Sequence, residues 1–302
     1  SEAMAPKPVT VTAGCLGAGK TTLVNHVLTQ AGGTRFAVLV NDFGAVNIDA
    51  DLIAAHDGQT MALTNGCICC SLSDGFIQTM LRLMAAPERF DHVIVEASGV
   101  SEPDRIMDFA RLDPELSPDA IVTLVDAETI CDRLADPLIS DIVAAQIGCG
   151  DLLVLNKTDL AGDVAEARSK IRQIAPETAV LDCAHARISL EAILGLAPIE
   201  HPASGSALAN PFRTGHFSTD RPIDRAMFEA ATAALPLSVL RGKGRVSFSG
   251  EETAHIWQRV GGRNTLSPTD LPAGPSQIVL IGTDTLDFPL TLHQVFRTRT
   301  DA

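Results

Sequence analysis

The stretch Gly14-Cys15-Leu16-Gly17-Ala18-Gly19-Lys20-Thr21-Thr22 has the spacing G-x4-G-K-[ST] and comes directly after the apolar run VTVTA at 9–13. A chain that carries this pattern between a strand and a helix has little freedom left in its fold. Glycines at 14, 17 and 19 let the backbone turn so that successive N–H groups, that of Ala18 included, point at phosphate oxygens. The start of the following helix, at Lys20 to Thr22, adds the positive end of its dipole. Lys20 supplies a mobile cation for β- and γ-phosphates, and Thr21 a hydroxyl for Mg²⁺.

The surroundings support that context. VTVTA (9–13), FAVLV (36–40), HVIVE (92–96), AIVTLVD (120–126) and DLLVLN (151–156) are rich in Val, Ile and Leu and do not alternate with polar residues. They read as strands buried on both faces, with helix-like segments between them. Within 71–86, Leu72, Phe76, Met80 and Met84 recur every four residues, the spacing of one helix face packed in a core. The expected fold class is α/β: a P-loop domain with a mainly parallel sheet over about 8–195. A Pro/Gly/Ala/Ser-rich linker follows at 196–211, and then a smaller α+β domain at about 212–300. In that second part FRTGHFS (212–218), 238–250, 254–260 and 277–283 read as strands, and 222–235 and 289–297 as helices.

Two further motifs address the nucleotide. Asn156-Lys157-Thr158-Asp159 ends the buried strand 151–156. N-K-x-D in this place reads guanine, because the Asp159 carboxylate accepts from N1–H and the exocyclic amine together, a donor pair adenine lacks. Each such charge-assisted bond is worth roughly 1.5–3 kcal/mol, so losing both rejects ATP by about 100-fold or more. An ATP-using kinase is therefore the weakest alternative. Glu96-Ala97-Ser98-Gly99 ends the strand 92–95: Glu96 suits Mg²⁺, and the N–H of Gly99 suits the γ-phosphate. Asp126 is a second strand-tip carboxylate, with no role assigned by its motif.

The formal net charge of −14 and a pI near 4.9 argue against general binding of nucleic acid or of anionic membranes. No apolar run is long enough to span a bilayer. No basic and apolar leader opens the chain, so a reducing cytoplasm is the default setting. In that setting seven cysteines, an odd number, favour free thiols, metal ligands or redox chemistry over a disulfide framework. Three of them, Cys67, Cys69 and Cys70, fall within the stretch TNGCICCSL, just after an Asn-Gly turn signal.

Taken in order, the P-loop, N-D-F-G at 41–44, GCICC at 66–70, E-A-S-G and N-K-T-D resemble the CobW-like GTPases. These are relatives of the urease and hydrogenase nickel-insertion GTPases and of nitrile hydratase activators. Beyond the linker, LRGKG at 240–244, VGGR at 260–263 and IVLIG at 278–282 resemble the same family's C-terminal domain. The resemblance implies a GTPase that binds GTP and GDP and acts as a metallochaperone for a client metalloprotein. It implies that Cys67, Cys69 and Cys70 hold Zn²⁺ or a related ion such as Co²⁺. Thiolates do favour such ions over Mg²⁺. For all three to converge the loop must bend, and Asn65-Gly66 can supply the bend.

One departure bears on the metal. In the family the segment at 40–45 typically reads E-N-E-F-G-E, with acidic metal ligands; here it is Val40-Asn41-Asp42-Phe43-Gly44-Ala45. Only Asp42 keeps a carboxylate, and it serves the metal, Mg²⁺ or the attacking water. Intrinsic hydrolysis is expected to be slow, about 10⁻⁴–10⁻² s⁻¹, since no motif places a water-orienting glutamine or an arginine finger. Two other readings compete: a metal-independent GTPase switch with structural or redox-active thiols, and a zinc store or sensor with vestigial hydrolysis. Neither the client nor the oligomeric state is written in the motifs.

Overall fold

The computed structural model describes residues 5–41, 48, 50–72, 75–97, 103–195, 212–283 and 290–296. The chain divides into two compact units, Ser1–Pro176 with Val180–Ile188, and Glu177–Ala179 with Ser189–Ala302.

In chain order the first part runs β1 (Lys7–Ala13), α1 (Lys20–Thr29), β2 (Phe36–Val40), β3 (Ile53–His56), β4 (Thr60–Leu63), β5 (Ile68–Ser71), α2 (Phe76–Met84), β6 (His92–Glu96), α3 (Pro103–Leu112), β7 (Leu116–Asp126), α4 (Ile130–Ala135), α5 (Ser140–Gly148), β8 (Leu152–Asn156), α6 (Val164–Ile174) and β9 (Ala179–Asp182). The strands form one sheet in the order β3-β4-β5-β2-β6-β1-β7-β8-β9. The pairings β5–β2–β6–β1–β7–β8 are all parallel, while β3–β4 and β4–β5 are antiparallel. The five apolar runs read from the sequence are all strands of this parallel block, and their residues are buried throughout β2 and β8. Strand β7 starts earlier than its apolar stretch. Its register against β1 shifts between Val9 and Thr10, opposite Pro118, where a residue without an N–H is tolerated at a bulge.

The Met-rich stripe is core. Met80 is fully buried, and Leu72, Phe76 and Met84 pack on the same cluster with Met107 and Ala110 of α3. The helix is shorter than its stripe, because Ser71 belongs to β5 and Leu72 N donates to Val40 O at 2.8 Å. A second cluster joins Val125, Leu153 and Leu155 of the sheet to Val143 and Ile147 of α5 and Ala167 and Ile171 of α6.

The second part runs α7 (Leu190–Leu194), β10 (Phe212–Thr219), α8 (Arg225–Ala233), β11 (Val239–Ser247), β12 (Thr253–Val260), β13 (Arg263–Pro272), β14 (Ser276–Thr283) and α9 (Leu290–Phe296). Its antiparallel sheet has the order β10-β14-β11-β12-β13. Phe228, Phe248, Trp257 and Phe296 are at the centre of its core, with Phe228 making edge contacts to the other three rings. Strand β13 contains two prolines and is unreadable as a strand in sequence; it is tolerated because it is the sheet edge. Arg259 is 2% exposed and donates to the carbonyls of Thr232, Leu235, Pro236 and Val239, which closes the C-terminal end of α8. Burial pushes its pKa down to about 10. Arg241 is buried, and its Nε donates to Ala192 O at 2.9 Å. Lys243 is exposed.

Among the described residues no helix is long and apolar enough to cross a membrane.

Candidate nucleotide and metal sites

The carboxyl ends of β1, β6, β7 and β8 meet at one edge of the sheet, where open α/β folds hold their ligands. The loop after β1 has Gly14, Gly17 and Gly19 at φ 129°, 83° and 108°, values that favour glycine. Space constrains it as well. A Cβ on Gly14 would stand 2.2 Å from Leu124 O in β7, and one on Gly19 would stand 2.4 Å from Asn156 Nδ2. Ala18 N closes the loop on Cys15 O at 3.1 Å, and Thr22 lies in the first turn of α1.

Lys20 is 7% exposed, with Nζ donating to Gly14 O at 2.7 Å and Cys15 O at 3.0 Å. Burial pushes its pKa down, and Glu96 works against that shift. Thr21 Oγ1 donates to Glu96 Oε1 at 3.2 Å. Burial raises the Glu96 carboxyl, while Thr21 and Lys20 oppose it. A hydroxyl and a carboxylate side by side are a hard-oxygen pair that suits Mg²⁺. Burial penalises the charges of both Lys20 and Glu96, and ligands of opposite charge relieve that penalty.

Asn156 is 2% exposed and ties the site together. Its Nδ2 donates to Ala18 O in the P-loop at 3.0 Å, and its Oδ1 accepts from Ala186 N at 2.9 Å and Cys183 Sγ at 3.3 Å. Lys157 has φ 61° and pairs through Nζ with Asp126 Oδ2 at 2.6 Å. That contact gives the strand-tip carboxylate of Asp126 its partner. Asp159 is 39% exposed and lies 3.7 Å from His185 Nε2. The turn Cys183-Ala184-His185-Ala186 thus belongs to this site. Sequence reasoning missed it because no short motif marks such a turn. Gly99 and Asp42 lie outside the described residues.

The Cys183 thiol is pushed up to about 12 by burial, with Asp182 adding to the shift. A folded value above the unfolded one favours the protonated thiol, so this contribution is complete below about pH 9 and is lost as pH rises toward 12. Cys183→Ser keeps a donor to Asn156 without titrating in this range. Thermal melts at pH 7 and pH 10 are expected to show a smaller alkaline loss of Tm in the variant. Equal losses would show that Cys183 contributes none of it.

The three clustered cysteines are arranged differently from expectation. The Asn65-Gly66 turn forms, with Gly66 at φ 83° and Gly66 N donating to Leu63 O at 3.0 Å. The bend falls before Cys67, however, and Cys69 and Cys70 lie in β5, opposite Val38 and Leu39 of β2. Strand alternation sends them to opposite faces. Cys70 joins the cluster under α2 and contacts Thr60 Oγ1 at 3.8 Å. Cys67 sits at the amino end of the strand, accepting from Phe36 N at 3.3 Å and donating to Thr34 O at 3.6 Å. All three are buried, and burial raises all three thiols, Cys69 to about 12. Ladder hydrogen bonds on both sides of β5 outweigh convergence here. Among the described residues no group of three or more His, Cys, Asp and Glu stands ready to share one metal ion. Val40 is core, fully buried in β2.

The model of the CobW/HypB/UreG nucleotide-binding domain matches residues 8–182, and that of the cobalamin synthesis protein cobW C-terminal domain matches 212–297. A zinc chaperone CobW of a Sinorhizobium species is 31% identical over 220 residues, 63% of this chain and 62% of its own length. The zinc chaperone YjiA of Escherichia coli is 34% identical over 195 residues, 62% of this chain and 60% of that protein. Zinc-regulated GTPase metalloprotein activator 1 of Schizosaccharomyces pombe is 38% identical over 178 residues, 56% of this chain and 42% of its own. The chain thus spans less than two thirds of the length of each of these three relatives. The crystal structure of Zn(II)-bound YjiA GTPase from E. coli is similar over 98% of this chain and all of that one, at 27% identity and a TM-score of 0.54.

Proposed function

The chain belongs to the CobW/HypB/UreG family, and from that premise we propose that it is a slow GTPase that carries zinc to a client metalloprotein in a reducing cytoplasm. The observation that carries the nucleotide half is the meeting of Lys20, the Thr21–Glu96 pair and Asn156 at one end of the sheet. In this reading Lys20 binds the β- and γ-phosphates, and the loop N–H groups from Gly14 to Thr22 wrap them. Thr21 and Glu96 hold Mg²⁺, which neutralises charge on the phosphate oxygens. Gly99 approaches the γ-phosphate, Asp42 orients the attacking water, and Asn156, Lys157 and Asp159 form the base site. In this reading 8–195 is the P-loop GTPase domain, 196–211 a linker, and 212–300 a smaller C-terminal α+β domain.

For the cargo, the supporting observation is placement. β5 pairs along β2, whose carboxyl end leads into Asn41-Asp42-Phe43-Gly44, and β5 itself leads into α2. A change in the nucleotide that pulls on these ends acts on β5, which bears Cys69 and Cys70, and on Cys67 directly before it. Since the thiols lie on both faces of β5, zinc uptake requires local rearrangement of that strand and loss of the thiol protons. Nucleotide and metal affinities are then coupled reciprocally. Zinc affinity is expected to differ at least about fivefold between the GDP form and the form with a non-hydrolysable GTP analogue, a coupling typical of such linkage. Cys67→Ala and Cys69→Ala are expected to lower zinc stoichiometry while GDP affinity persists. Equal zinc constants in both nucleotide forms defeat the coupling, and unchanged stoichiometry in both variants removes the thiols from the metal site. The spread of the thiols over both faces favours a second reading, a GTPase switch without metal. Zinc-free protein whose GTP form alone binds a partner would support it.

A further inference from the structure

The loop Asn156–Asp159 and the turn Cys183–Ala186 are joined by more contacts than two neighbouring surface loops require. Thr158 donates to Cys183 O from both N, at 3.2 Å, and Oγ1, at 3.1 Å. Ala186 N and Cys183 Sγ both donate to Asn156 Oδ1. This register places the imidazole of His185 against the Asp159 carboxylate, Nε2 to Oδ2 3.7 Å.

The backbone is unusual at the same place. His185 has φ 55° and Ala186 has φ 50°, two consecutive non-glycine residues in the left-handed region. Histidine is enriched there, but alanine is not, and such conformations persist only where the surroundings over-determine them. Packing gives no reason for the His185 side chain, which is 70% exposed, beside a carboxylate that is 39% exposed. The pair faces solvent at the carboxyl edge of the sheet, where the base would sit.

We infer that His185 is a positioning residue for the guanine-reading carboxylate, holding Asp159 in the orientation that meets the base edge. The inference deepens the guanine reading of the previous section and rests on it. An exposed Asp side chain has several rotamers, and only one presents both oxygens to N1–H and the 2-amino group. An imidazole nitrogen beside Oδ2, carrying its proton, biases that choice. The carboxylate has about four lone-pair sites, so the base and the imidazole can share it. At 3.7 Å the contact is electrostatic, longer than a hydrogen bond.

The test uses the full chain and titration calorimetry with GDP. His185→Ala is expected to weaken GDP binding about fivefold, in keeping with the loss of one polar contact. His185→Gln keeps an N–H and is expected to recover most of the loss. His185→Phe keeps a ring without a donor and is expected to behave like Ala. In an Asp159→Asn background the effect of His185→Ala is expected to fall below about twofold, because coupled residues lose their interaction together. A loss of equal size in both backgrounds, or rescue by Phe, overturns the positioning role in favour of independent contact with the base. Full GDP affinity in His185→Ala, with Asp159→Asn defective, overturns it alone. Should Asp159→Asn bind GDP as well as the parent does, the guanine reading fails and this inference fails with it.

Discussion

Asp159→Asn is expected to lower GTP affinity by about 100-fold or more and to raise affinity for xanthosine triphosphate. The carboxylate is acceptor-only, so it matches the N1–H and 2-amino donors of guanine. Asn offers one acceptor and one donor, and the donor faces the amine. At roughly 1.5–3 kcal/mol for each charge-assisted bond, losing the pair accounts for the drop. Xanthine carries a carbonyl where guanine carries the amine, and the Asn donor then finds an acceptor. Asp159 is 39% exposed and pairs with His185 over a long contact, so the fold is expected to stand. Competition against a labelled nucleotide measures both affinities. GTP binding unchanged in the variant would move the base away from Asn156–Asp159 altogether.

What could be read in the sequence and what could not divide along physical lines. The strands buried on both faces announce themselves, since Phe36–Val40 and Leu152–Asn156 must be apolar at every position. The P-loop and N-K-T-D are legible because phosphate and base contacts fix residue type at fixed spacing. Strands β3, β4 and β5 are four residues each and carry no strong pattern, so the antiparallel extension of the sheet was hidden. That omission is what made GCICC look like a loop. Once β4 and β2 both pair with β5, period-two alternation outranks the closeness of the thiols in sequence. The contribution of His185 was hidden for another reason: its partner Asp159 is distant in the chain, and bonds such as Asn156–Ala186 and Thr158–Cys183 bring the two together.

Gly14→Ala is expected to cost on the order of 3 kcal/mol of stability and to abolish measurable nucleotide binding, by combining left-handed strain with overpacking. At φ 129° an L side chain is strained before any neighbour is considered. The added methyl would also stand 2.2 Å from Leu124 O, a backbone atom in β7 that is held between β1 and β8 and has nowhere to go. Gly17→Ala is the control. Its φ of 83° carries similar strain, but a Cβ there meets nothing within 4 Å, so a loss of about 1–2 kcal/mol is expected. Gly19→Ala falls between them, since its clash is with the side-chain amide of Asn156, which can turn away by giving up its bond to Ala18 O. Urea unfolding of the three variants, paired with GDP titration, gives the order directly. Equal stability of Gly14→Ala and Gly17→Ala would mean that the loop is shaped by its ligand. The expected order means that the sheet beneath it, through one carbonyl of β7, sets the curvature to which phosphate binds.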